Sequence, residues 1–168
     1  MGTANRNEND SCVMEKRVEV DITITGILDE FAGHVINETT RHSLRTLMPR
    51  RRKPIYIEVE IALDDDISPA KALVHQEDED TFFMSIADSV CDDFEELAYC
   101  VAHECVHMKQ YLRNEVKDLA VDRKKWKGKL YNLTEVNYAD LPWEQEANLL
   151  EMPLANHIVK KWGLQSVS

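Results

Sequence analysis

Residues 93–113 read DFEELAYCVAHECVHMKQYLR, and the spacing of apolar residues within them decides how the chain is organised. Phe94, Leu97, Val101, Cys105, Met108 and Leu112 recur at the period of an α-helix, so one stripe of that helix is buried. Asp92 followed by Glu95 predicts an N-cap with its reciprocal partner and a helix over about 93–113. The other side carries Cys100, His103, Glu104, His107 and Tyr111. Residues four apart lie one above the other on a helix, so both imidazoles can reach one cation while Glu104 flanks them.

Neutral imidazole suits Zn²⁺, and a catalytic zinc site takes three protein ligands and keeps a fourth position open for water. A carboxylate beside that water can accept its proton, and Glu104 is placed for this role as general base. The third ligand is expected from LPWEQEANLLE, residues 141–151. Pro142 suits a first helical turn and acidic residues follow it, so a second helix starts there. Trp143, Ala147 and Leu150 make its packing face. Glu144 and Glu146 point about 200° apart, so only one can be a ligand, and Glu144 is chosen. Asn148, one turn on, is expected to hydrogen-bond a liganding histidine or Glu144 itself.

HECVH followed by EQEAN resembles the gluzincin branch of zinc metallopeptidases, the thermolysin-like group. That resemblance implies His103, His107 and Glu144 as metal ligands and Glu104 as general base. EQEAN with the following Leu150-Glu151-Met152-Pro153 is also similar to anti-repressor peptidases of mobile genetic elements, and the phrase YADLPWEQEA and the compact length are similar to minimal gluzincins and SprT-like proteins, including phage-encoded ones. The similarity covers roughly residues 90–155. Two departures stand out. The chain is too short for the second catalytic domain of the large thermolysin-like enzymes, which carries the donor that stabilises the tetrahedral intermediate. SprT-like proteins use a third histidine, and no such spacing occurs here. His157, Tyr138 and Tyr131 are the candidates for an oxyanion donor, and the role stays unassigned among them.

The 168 residues predict one domain, 17–168, behind a polar tail over 1–16 that reads as disordered. Acidic residues outnumber basic ones by 31 to 20, a net charge of −11, which argues against general nucleic-acid binding. Arg50-Arg51-Arg52-Lys53 reads as a charged connector before a strand. Arg123 to Lys129, with Trp126 inside it, reads as an exposed strand near the site. Cys12, Cys91, Cys100 and Cys105 have no paired spacing and read as reduced thiols of a cytoplasmic protein. Cys12 could in principle cap the metal as an inhibitory thiolate, although a lone tail cysteine usually does nothing. No run of apolar residues is long enough to span a membrane, and the N-terminus lacks a secretory pattern.

The remaining scaffold is legible in outline. Val18–Thr25 alternates as a strand or a helix approach, and Ile27, Phe31, Val35, Leu44 and Leu47 predict a long helix over about 26–48. Strands are expected at 55–61, 70–76 and 81–87, forming a three-stranded sheet with Thr81–Ala87 at the edge beside the histidine helix. Asp64-Asp65-Asp66 and Glu77-Asp78-Glu79-Asp80 read as solvated turns, since neither has the spaced ligands and central glycine of a calcium loop. The expectation is an α+β, zincin-like minimal domain holding zinc and hydrolysing a protein or peptide substrate laid along the sheet edge. The alternative is a zinc-stabilised peptide-binding or regulatory module that cuts nothing.

Overall fold

The computed structural model describes residues 17–26 and 29–165. The tail over 1–16, with Cys12, and Ile27 of the first predicted helix lie outside them.

The fold is mixed α+β. Strand β1 (Val20–Thr25) leads to helix α1 (Glu30–Leu47), strand β2 (Ile55–Ala62) and a single helical turn α2 (Asp64–Ile67). Strands β3 (Ala72–Gln76) and β4 (Thr81–Ala87) and a 3₁₀ segment (Asp88–Asp92) precede the long helix α3 (Phe94–Leu112). A hairpin sheet, β5 (Val116–Ala120), β6 (Arg123–Trp126) and β7 (Lys129–Asn132), and a 3₁₀ turn (Tyr138–Asp140) then connect to α4 (Pro142–Trp162).

The main sheet has four strands in the order β1-β2-β4-β3, parallel except for β3. In β2 the apolar positions Ile55, Ile57 and Val59 are buried while Tyr56, Glu58 and Glu60 are exposed. Period-two alternation of this kind covers one face of a sheet and leaves the other to water. The covered face meets α1, α3 and α4 in one core that includes Phe82, Met84, Leu97, Val101, Met108 and Ala155. Each large side chain fully withdrawn from water there contributes about 1.5–3 kcal/mol.

Three expectations are corrected. The sheet has a fourth strand, because Val20–Thr25 pairs with β2 along its whole length. Thr81–Ala87 is an interior strand, paired on both sides, and β3 is the edge. The reason is burial: Phe82, Met84 and Ile86 are fully enclosed, whereas β3 alternates between buried Ala72 and exposed Leu73 and His75. Helix α1 starts at Glu30, later than the expected 26. Asp29 caps the helix by accepting from the Phe31 and Ala32 N–H groups, and Gly26 stands at φ +110, where a Cβ would come within 3.1 Å of the Ile61 side chain.

The acidic and basic runs answer one another. Glu77–Asp80 forms the β3–β4 turn, and Asp80 accepts from Arg51 and Lys53 of the connector before β2. The Asp64 carboxylate accepts from the Ser89 N–H at 3.1 Å.

Candidate metal centre

Helix α3 begins one residue later than the sequence suggests, with Asp93 as the cap that accepts from the Glu96 N–H at 3.0 Å. Leu97, Val101, Cys105 and Met108 are enclosed, which fixes the rotation of the helix and turns His103 and His107 toward α4. Helix α4 starts at Pro142, and Trp143 anchors it in a small cluster with Val116 and Leu141. Glu144 is thereby buried against the two histidines.

Nε2 of His103 and Nε2 of His107 lie 3.1 Å apart, and Glu144 Oε2 lies 3.3 Å from the first and 3.4 Å from the second. Tetrahedral coordination with bonds of 2.0–2.1 Å separates ligand atoms by about 3.3–3.4 Å. The triangle therefore has the size that one such cation requires, and among the described residues these three form the group that could hold a metal ion.

Neighbouring side chains fix what those nitrogens present. Gln110 donates through Nε2 to Trp143 O and to Glu146 Oε2, each at 2.9 Å. Its carbonyl oxygen therefore faces His107 Nδ1 at 2.8 Å and can only accept. His103 Nδ1 donates to Glu151 Oε2 at 2.7 Å. With both Nδ1 protonated, both Nε2 atoms turn a lone pair toward the other and toward a carboxylate oxygen. Three electron-rich atoms so close need a cation or a proton among them.

Electrostatics follow the same logic in the metal-free chain. Burial would lower the His103 pKa, but the carboxylates of Glu144, Glu104 and Glu151 outweigh it and hold the value at about 9. Burial pushes Glu144 up, and the hydrogen bonds and charge of His103 and His107 override this, leaving it far below the usual carboxylate range. Glu104, buried on the same helix, is pushed upward by desolvation, with the two histidines opposing.

Glu104 lines two cavities. One, of about 780 Å³, also includes His103, Tyr99, Cys100 and Glu151; the other, of about 240 Å³, includes His107, Glu144, Tyr111 and Trp143. Tyr138, largely exposed, lines both. Residues 70–74, at the start of the edge strand, also border them.

The other candidates fall elsewhere. His157 stacks on His42 of α1, with ring centroids 4.1 Å apart, and lines neither cavity. Tyr131 packs edge-on against Trp143. Glu146 accepts from Lys109 and Gln110 rather than joining the triangle. Asn148 is exposed and does not reach the group, which corrects its expected supporting role. That role belongs to Gln110 and Glu151. Glu151 follows Glu144 by seven residues, within about 20° on a helix, and this spacing was the available signal. Cys91, Cys100 and Cys105 are free thiols, and burial pushes Cys100 and Cys105 up to about 12.

Among the described residues no helix is long and apolar enough to cross a membrane. Comparison with protein-family models, with curated proteins and with solved structures gave no match.

Proposed function

We propose that this chain is a zinc-dependent peptidase of zincin-like fold, with His103, His107 and Glu144 as ligands in the gluzincin manner and Glu104 as general base. The observation that carries the reading is the triangle of His103 Nε2, His107 Nε2 and Glu144 Oε2 at 3.1–3.4 Å, with both Nδ1 hydrogens committed elsewhere. Two imidazoles and one carboxylate make the donor set of a zinc site with a remaining open position.

Zinc, when bound, supplies Lewis acidity, which makes water a stronger acid and polarises a carbonyl. Glu104 takes the proton at its carboxylate. Burial raises its proton affinity, so it can carry that proton and return it to the departing amine. Gln110 and Glu151 hold the imidazoles in one tautomer throughout. Among the described residues strand β3 pairs only with β4, so its second side offers backbone groups to an extended peptide, the β-addition mode of recognition. The free thiols favour a reducing, cytoplasmic setting.

The test is Glu104→Gln in the full chain, assayed on a broad fluorogenic peptide panel with zinc content measured alongside. Zinc near one per chain with turnover reduced about 10²–10⁴-fold is expected. Undiminished cleavage by the variant sinks the general-base role. One observation favours a second reading, a zinc-stabilised peptide-binding module without turnover: of the three oxyanion-donor candidates, His157 stacks on His42, Tyr131 packs against Trp143 and Tyr138 is largely exposed. In that case the zinc-loaded parent chain binds peptides and cleaves none.

A further inference from the structure

A separate cavity, of about 450 Å³, shares no lining residue with those of the metal group. It lies between the C-terminal half of α1, the residues entering β1, and α4. Arg17, Arg41 and Arg45 line it, together with His42, His157 and a single carboxylate, Glu38. Glu38 already accepts from Lys161 Nζ at 2.9 Å. None of the three arginines is ion-paired among the described residues, in a chain where acidic residues outnumber basic ones by 31 to 20.

Two of the arginines are held in place. Arg41 donates through Nη1 to Val20 O, and Arg45 through Nε to Val18 O at 3.4 Å. A guanidinium has five N–H donors in a planar fork, so each keeps donors for another partner. His42 and His157 stack nearly parallel, 9° apart in plane. Burial and the neighbouring His157 lower the His42 pKa, with Glu38 opposing. Stacked imidazoles repel when both are charged, and an anion at their edges relieves that repulsion.

We infer that this cavity is a binding site for a small phosphate monoester, whose phosphate is held by the forks of Arg17, Arg41 and Arg45 and by N–H groups of His42 and His157. Several guanidinium forks suit an anion with three terminal oxygens better than a carboxylate with two. The volume lies in the range of small-molecule sites, about 300–1,000 Å³, and so leaves room for an organic body beyond the phosphate.

The test titrates the full chain with inorganic phosphate, ribose 5-phosphate and adenosine 5′-monophosphate. Citrate and sodium chloride at matched ionic strength serve as controls, and histidine side-chain resonances are followed by NMR. Saturable shifts of His42 and His157 are expected with the two esters, while His34 and His75 stay in place. Arg17→Gln/Arg45→Gln is expected to weaken binding roughly tenfold or more. His157→Gln, at an exposed helical position, provides the same reading if the double variant fails to fold. The inference is overturned if neither ester gives a saturable shift at about 10 mM. It is likewise overturned if citrate matches the esters or if the variants bind as the parent does. Since His42 and His157 are the reporters, the outcome is independent of whether the metal group hydrolyses peptides.

Discussion

A single amide, Gln110, decides which nitrogen of His107 faces Glu144. Its Nε2 is committed to Trp143 O and Glu146, so its oxygen is what His107 meets. Gln110→Leu is expected to weaken zinc binding about 10–100-fold, the usual cost of losing a partner that orients a ligand. It also removes the amide's bonds to Trp143 O and Glu146, at about 0.5–1.5 kcal/mol each. Competition with a chromophoric chelator and a urea melt measure the two effects separately. Unchanged affinity would show that His107 needs no orienting partner. Glu151→Gln, which retains an acceptor for His103 Nδ1, is expected to lose less affinity than Glu151→Ala in the same titration. The pairing of His103 with His107, with Glu104 beside them, was legible in the sequence because it is local to one helix. The angular geometry of the second helix set Glu144 and Glu146 on different sides, without saying which of them faces the histidines. Gln110 and Glu151 were not found: His107 and Gln110 lie three apart on α3 and Glu144 and Glu151 seven apart on α4, but which way the amide turns and which imidazole Glu151 meets are set by how α3 crosses α4.

Between the helices, Lys109 is the element-level clamp. It is almost fully buried on α3 and donates to Glu115 at 2.9 Å and to Glu146 of α4 at 2.8 Å. Burial works against ionised Glu146, and the bonds from Lys109 and Gln110 outweigh it, holding the carboxyl below its ordinary value. A lowered folded pKa means the unfolded chain binds the proton more readily. The contribution is complete above the unfolded carboxylate's pKa and disappears as pH falls through the lowered folded value. Lys109→Met is expected to cost about 2 kcal/mol at neutral pH, less than a fully buried pair because Glu115 and Glu146 keep some contact with water. It should also raise the pH of the acid-unfolding midpoint, followed by circular dichroism. An unmoved midpoint would remove Glu146 from the acid transition. The sheets show where pattern reading stops. Strand β2 was plain from its alternation, while β5–β7 was read only in its middle strand. Its segments VKDLA, RKKW and KLYN are mostly exposed, so no apolar period marks them, and the β6–β7 turn depends on positive φ at Lys127 and Gly128. The order of β3 and β4 was misjudged because edge position depends on which strand the helices cover.

At the scale of the whole molecule, one core joins the main sheet to α1, α3 and α4, and the metal group lies where α3 and α4 meet. The chain stripped of metal should therefore remain folded, with a lower melting temperature that rises with added zinc as RT ln(1 + [Zn]/Kd). Protons compete for the same lone pairs. In the metal-free chain the surrounding carboxylates hold His103 at about 9 against burial, above an unfolded imidazole at about 6.5. The raised value stabilises the stripped chain fully below the unfolded pKa, and this contribution is lost as pH rises toward 9. Zinc must displace that proton, so apparent affinity should climb by about tenfold per pH unit below the folded pKa and level off above it. Chelator competition from pH 6 to 10, paired with urea melts of stripped and loaded protein, measures both slopes. Stripped protein should lose stability across the window in which loaded protein gains affinity. Flat affinity from pH 6 to 9 would mean that no proton leaves His103 when the metal enters, and that the three ligand atoms do not share one cation.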